Sequence, residues 1–208
     1  MDLIVTVEGH EGHVRDFEPA DEDAVVSLFR DSADWFEITT GEPPAAGDVQ
    51  SLFYSAPEGA SLDGKQVLVL AAADGDVIGP VEAVTGYPGP EGCAVGLFLI
   101  GRARRRRGWG KALARTLLTQ AVRADIATVT ATNPVGWDAG EAFLRELGFT
   151  VDETPVQRAE LVGNRSVGPA GAPLPPCSAR GAGDVHALAE SIAELGLLEP
   201  LKRRWPRV

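Results

Sequence analysis

Sulfur, phenol and early positive charge are scarce in this chain. Its two cysteines, Cys93 and Cys177, stand far apart and match neither a CxxC pair nor a Cys/His ligand spacing, so no disulfide framework and no zinc site is expected. His10, His13 and His186 have no metal-ligand spacing either and read as surface residues, so no metal is expected. No apolar stretch approaches the roughly 20 residues of a membrane helix. The opening MDLIVTVEGHEGH lacks the basic n-region of a secretory signal. A membrane span is excluded, and the expected location is the cytoplasm. Arg15 and Arg30 are the only basic side chains before Lys65, in a chain of formal net charge -11. An acidic half of this kind does not suit non-specific nucleic-acid binding. It suits a cationic ligand, or serves only to keep the chain soluble.

What is present alternates between strand and helix patterns. HVRDFE (13–18) reads as a strand, followed by a helix with Asp21 as N-cap and Val25, Leu28 and Phe29 on one face. The stretch from Asp34 to Gly59 reads as a loop with a turn at Gly41, Pro43 and Pro44, then a short helix carrying Val49, Leu52 and Phe53. QVLVLAAADGDVIGPVEAVTGY predicts a hairpin about its Asp-Gly turn, with Pro80 requiring a bulge or an edge position. GCAVGLFLIG (92–101) suits a strand covered on both faces. A helix over 108–123, a strand over 126–133, a helix ended by Gly148 and a strand over 155–163 complete an α/β domain with a mixed sheet. Residues 1–163 are therefore the main domain, 164–183 a Gly/Pro-rich linker, and 184–208 an amphipathic helix, capped by Asp184, with a basic tail.

The dense basic run GRARRRRGWGKAL (101–113) lies between the buried strand and a helix. It is not a P-loop, because Ala112 follows Lys111 where a magnesium-ligating Ser or Thr is needed. The dinucleotide fingerprint fails as well, since Leu113 stands at its third glycine. Arg105, Gly108 and Gly110 do fit (Arg/Gln)-x-x-Gly-x-(Gly/Ala). Glycines there let backbone N–H groups approach a diphosphate at a helix N-terminus. This pattern resembles the acyl-CoA-binding motif of the GNAT N-acyltransferase superfamily, and AFLRELGF (142–149) is similar to its helix-to-strand ending. The segments TGEPP and GYP also resemble a bacterial subgroup of that superfamily.

The resemblance implies a GNAT fold, with a mixed sheet of about six to seven strands, and an N-acetyltransferase using acetyl-CoA. Backbone groups of Leu97, Phe98, Leu99 and Ile100 would pair with the pantetheine amides, and Asn133 would hydrogen-bond the pantetheine arm. Arg105, Arg106, Arg107, Gly108, Trp109, Gly110, Lys111 and Ala112 would cradle the diphosphate. The acceptor would be a primary amine of a small molecule or an amino terminus, deprotonated by Glu82 as first candidate base or Glu91 as second. Trp35, Phe36, Glu37, Tyr54 and Tyr87 would line the acceptor side. The family's tyrosine acid is replaced by Leu144, which leaves the general-acid role unassigned. That gap keeps open a non-catalytic acyl-CoA-binding module, and the tail keeps open a partner-binding adaptor. Neither a nucleic acid nor a membrane is an expected partner; a homodimer stays open. DVHALAESIAELGLLEPL (184–201) is similar to the start of a ParB-like domain, without the later motifs that would carry its activity.

Overall fold

The computed structural model describes residues 2–151 and 180–184. Alternating apolar positions draw β1 (Asp2–Val7) and β2 (His10–Asp16) into a hairpin turning at Glu8 and Gly9. Then come three helices, α1 (Glu22–Asp31), α2 (Ala33–Thr40) and α3 (Gly47–Tyr54). The antiparallel run β3 (Lys65–Ala72), β4 (Val77–Thr85) and β5 (Gly92–Phe98) forms the middle of the sheet. A crossover through α4 (Trp109–Arg123) brings β6 (Thr128–Thr132) parallel to β5. After α5 (Asp138–Glu146) come β7 (Thr150–Val151) and β8 (Arg180–Asp184). The sheet order is β1-β2-β3-β4-β5-β6-β8-β7.

Two helical layers cover the sheet. Val25, Leu28, Phe29, Phe36, Val49 and Leu52 from α1 to α3 pack on Val67, Val69, Leu97 and Leu99. On the other side Leu113 and Trp109 of α4 pack on Val5, Leu68, Leu70 and Val81, while Leu118 of α4 joins Leu144 of α5 over Cys93 and Val129. Strand β5 is thus buried from both faces, as its unbroken apolar run requires.

The α/β class and mixed sheet are as expected, and three local features differ. The opening residues, read only for a signal, form β1 because Val5 is buried against the sheet, 1% exposed. Residues 33–40 are helical rather than loop, since packing outweighs their modest propensity. Phe36 is buried with its ring 4.8 Å from Phe29, and the Thr39 and Thr40 hydroxyls bond back to the carbonyls of Trp35 and Phe36 at 2.7 and 2.8 Å. Of the two positions expected for Pro80, the structure shows the bulged one: it sits in a central strand opposite Val69, with register shifts on both sides, at Leu70/Ala71 and at Glu82/Ala83. Residues 180–183, placed in the linker, form β8 together with Asp184, between β6 and β7. Asp184 therefore ends a strand, pairing with Thr128, instead of capping a helix. The expected strand over 155–163 and the ParB-like segment after Asp184 lie outside the described residues.

Asp21 is not an N-cap in the side-chain sense. Its carboxylate accepts two bonds from the Arg15 guanidinium, at 2.6 and 2.7 Å, and one from the Glu18 N–H at 2.8 Å. The bond from Arg15 is the main cause holding its pKa below the ordinary 3.8, although burial opposes it. A depressed carboxylate pKa contributes stability that is fully present above the ordinary value and is lost as pH falls through the folded one. Asp21→Asn is accordingly expected to cost about 2 kcal/mol at pH 7. Urea denaturation at pH 7 and in acid checks this: the gap from the unsubstituted chain should close as the pH drops below 3.8.

Candidate active site

Among the described residues the sheet opens between β5 and β6. Strands β5 and β6 pair only from Gly92–Thr128 to Val95–Ala131, so Gly96, Leu97 and Phe98 have no partner on the β6 side among the described residues. The register shift between Glu82 and Ala83 falls at the same level of β4, because Ala83 pairs with Val95 and Glu82 with Leu97. The skipped residue is Gly96. A β-bulge re-aims the side chain beside it, and here that side chain is Glu82. A Cβ on Gly96 would lie 2.2 Å from Glu82 Oε2, so the carboxylate occupies the space that a side chain at 96 would need.

Glu82 is buried, 7% exposed. Its Oε1 accepts a hydrogen bond from the Lys65 Nζ, which also donates to the Ser55 carbonyl at the end of α3. Burial pushes the Glu82 carboxyl above its ordinary pKa, and the Lys65 contact opposes that rise. Cys93, the one cysteine among the described residues, is also buried. Burial, assisted by the negative charge of Glu82, pushes its thiol up to about 11. It stays protonated at neutral pH and is a poor nucleophile.

Beyond the open end of β5 lies the basic turn. Gly108 precedes α4 with φ +84°, a left-handed conformation that favours glycine, and Arg106 has φ +60°. The first helical bond at this end runs from the Ala112 N–H to the Gly108 carbonyl. The N–H groups of residues 106–111 have no acceptor among the described residues. Free N–H groups at a helix N-terminus, with Arg106 and Arg107 exposed beside them, form a receptive surface for an anion.

Not every residue singled out in the turn faces that surface. Arg105 turns inward: its Nε donates to the Ile100 carbonyl at 2.9 Å, its Nη1 pairs with Asp34 at 2.8 Å, and its guanidinium lies 5.5 Å from the centre of the Trp137 ring. It ties the end of β5 to α2 and to the loop before α5. The Trp109 ring is core, 6% exposed, and only its backbone belongs to the turn. Lys111 is ion-paired with Glu146. Leu97, Leu99 and Ile100 bury their side chains, leaving backbone groups as their contribution. The Asn133 amide is buried and donates to the carbonyls of Pro134 and Trp137, both at 3.1 Å, knitting the loop that follows β6.

The acceptor-side residues divide in the same way. Phe36 is core, and Trp35 packs edge-on against it at 5.0 Å. Glu37 is exposed on α2, and Tyr54 is 76% exposed at the end of α3. Tyr87 lies at the β4–β5 turn beside Pro88. Glu91 is exposed and precedes β5, whereas the opening lies beyond Val95. At about 3.3 Å per residue, the six residues from Glu91 to Leu97 span roughly 20 Å, so Glu91 is not brought to the opening. Phe143 stacks on Phe98 with centroids 5.6 Å apart, and Leu144 is buried. Lys65, Ser55 and Gly96 were not among the expected site residues. The available signal was Lys65 itself, the only lysine before Lys111, heading a buried strand in an acidic half.

Residues 29–149 match the model of the Acetyltransferase (GNAT) family. The chain belongs to that family. It is an acyl-CoA-dependent N-acyltransferase, and the family uses acetyl-CoA as donor. No curated protein matches the chain. Among solved structures it is similar to an acetyltransferase from Thermus thermophilus, at 17% identity and TM-score 0.59, over 88% of this chain and 99% of that one. It is also similar to a spermidine N-acetyltransferase from Vibrio cholerae in complex with CoA and spermine, at 13% identity and TM-score 0.61, over 85% and 97% of the two chains. A GCN5-related N-acetyltransferase from Kribbella flavida aligns at 21% identity and TM-score 0.55, over 83% and 97%. At these identities the likeness is one of fold. Among the described residues no helix is long and apolar enough to cross a membrane, and no cluster of side chains fits a metal ion.

Proposed function

We propose that the chain transfers an acetyl group from acetyl-CoA directly to a primary amine, of a small molecule or of an amino terminus, with Glu82 as general base. The observation that carries this reading is the buried Glu82 carboxylate held over Gly96, where β5 parts from β6. The receptive N–H groups of the turn fit a diphosphate, and the unpaired edge of β5 from Gly96 fits the amides of a pantetheine arm. In this reading Leu97 to Ile100 contribute main chain, residues 106–112 hold the diphosphate, and Arg105 holds the turn in place. Bound acetyl-CoA supplies an activated thioester, whose thiolate leaves readily because an ordinary thiol has a pKa of only about 8.5.

The chain's own residues do the rest. Glu82 takes a proton from the acceptor, since an alkylammonium has no lone pair with which to attack. Main-chain N–H groups on the open edge of β5 polarise the acyl carbonyl. The replacement of the family's tyrosine by Leu144 is tolerable with a leaving group that needs little help. A protonated Cys93 thiol disfavours an acyl-cysteine route and supports direct attack. The acidic composition of the first half favours the approach of a cation.

The test follows thiol release from acetyl-CoA with a panel of amines that includes spermidine and a peptide with a free amino terminus. The expected result is release above background with at least one class, matched by an equal amount of acetylated amine. Acetyl-CoA binding with no release from any amine would instead favour a binding module.

A further inference from the structure

We propose that Lys65 is a positioning residue of this site: it occupies one oxygen of the Glu82 carboxylate and thereby leaves the other free, at the opening between β5 and β6, to take the acceptor's proton. The inference rests on the reading of Glu82 as base. Lys65 begins β3, which pairs with β4 and so brings the lysine beside a carboxylate 17 residues away. The side chains of Lys65 and Glu82 are 6% and 9% exposed. Two acceptors fix the ammonium, Glu82 Oε1 on the sheet and the Ser55 carbonyl at the end of α3. Oε2 has no hydrogen bond among the described residues and lies against Gly96. One carboxylate therefore has two oxygens with separate tasks, and the Ser55 contact ties its position to the helical layer above.

Charge requires the partner as much as geometry does. A carboxylate buried alone takes up a proton, and a base that is already protonated at working pH does nothing. An adjacent ammonium keeps it ionised, provided that both are well hydrogen-bonded. Of the groups packed against Glu82, Lys65 of β3 is the cation, Cys93 of β5 carries a neutral thiol, and the end of α3 offers only the Ser55 carbonyl. Lys65 is thus the one charge among the described residues that acts on the Glu82 carboxyl.

The experiment uses the full chain with Lys65→Met, Lys65→Gln and Lys65→Arg. The Glu82 carboxyl is titrated by carbon-13 NMR and assigned by its loss in Glu82→Gln, and kcat/KM is measured against pH with spermidine and with the peptide amine. Lys65→Met is expected to raise the Glu82 midpoint and to move the acid limb of kcat/KM upward with it. Below the unsubstituted midpoint kcat/KM should fall by about tenfold, with an unchanged KM for acetyl-CoA. Lys65→Arg should restore most of the loss. If Lys65→Met does not fold, Lys65→Gln and Lys65→Arg carry the comparison, and equal acid limbs in those two would overturn the proposal. An unmoved Glu82 midpoint, with Glu82→Gln still inactive, overturns the role of Lys65 and leaves the base standing. A raised midpoint with an unmoved acid limb overturns both.

Discussion

Glu82→Gln is expected to lower kcat/KM at neutral pH by about 100- to 10,000-fold, the usual range for loss of a general base. The amide keeps the shape of the side chain and still offers an oxygen to Lys65, so what disappears is the capacity to accept a proton. The pH dependence should change form as well. With Glu82 present the rate levels off once its carboxylate is ionised. Without it, the rate should climb steadily toward the pKa of the free amine, about 10.4 for a lysine-like ammonium. The affinity for acetyl-CoA, measured by calorimetry, should stay within about twofold, because the basic turn lies beyond the other end of β5's open edge. The substitution also leaves the Lys65 ammonium buried without its counter-charge, which costs several kcal/mol in such pairs. A lower unfolding midpoint is therefore expected, and activity should be compared at a temperature where both proteins are folded. Retention of the full rate in a folded Glu82→Gln protein would remove Glu82 from the chemistry.

Gly108→Val is expected to weaken acetyl-CoA binding by tenfold or more, equivalent to about 1.4 kcal/mol. Gly108 has φ +84°, where a β-branched residue is strained, and a Cβ there would stand 3.2 Å from Val7 Cγ1 of β1. Both effects push the turn out of the shape that leaves the N–H groups of residues 106–111 without acceptors. Gly110 is a built-in control. A Cβ at 110 would meet Ile100 and Phe143 at 3.4 to 3.7 Å, ordinary contact distances, with no positive φ to strain. Gly110→Ala should therefore bind acetyl-CoA within about threefold of the unsubstituted chain. Calorimetry on the two variants checks the contrast. Equal affinities would place the diphosphate elsewhere.

Most of the strands and helices were legible because apolar periodicity is strong where an element is buried, as in β5 and along the inner face of α4. The turn was legible because Gly108 sits where backbone conformation, not side-chain chemistry, is needed. Glu82 could be picked out through the resemblance, which calls for a carboxylate base, and through its place on the strand before the hairpin end. The partner that holds it could not. Lys65 meets Glu82 through the β3–β4 register, and register is not written in the spacing of either strand. Arg105 shows the converse: its place in the motif suggested an anion ligand, whereas its guanidinium reaches Ile100, Asp34 and Trp137 across three elements. Helix α2 was hidden because Trp35, Phe36 and two threonines are weak helix formers until Phe29 is there to pack on. Strand β8 was hidden by Gly181 and Gly183, which look like linker and yet pair with Val151, Ala131 and Val129.

Gly96→Ala tests the geometry of the site most directly. Its Cβ would fall 2.2 Å from Glu82 Oε2, and the atom that must yield is the far end of a flexible side chain rather than backbone. The fold should survive, and the carboxylate should be pushed from its place at the opening. In one set of samples, unfolding midpoint, acetyl-CoA affinity and amine-dependent thiol release are measured together. The expected result is a midpoint and affinity close to those of the unsubstituted chain, with thiol release reduced by at least about tenfold, the lower side of what a displaced base costs. A Gly96→Ala protein that folds, binds acetyl-CoA and acetylates its amine at the unsubstituted rate would contradict the placement of catalysis at Glu82.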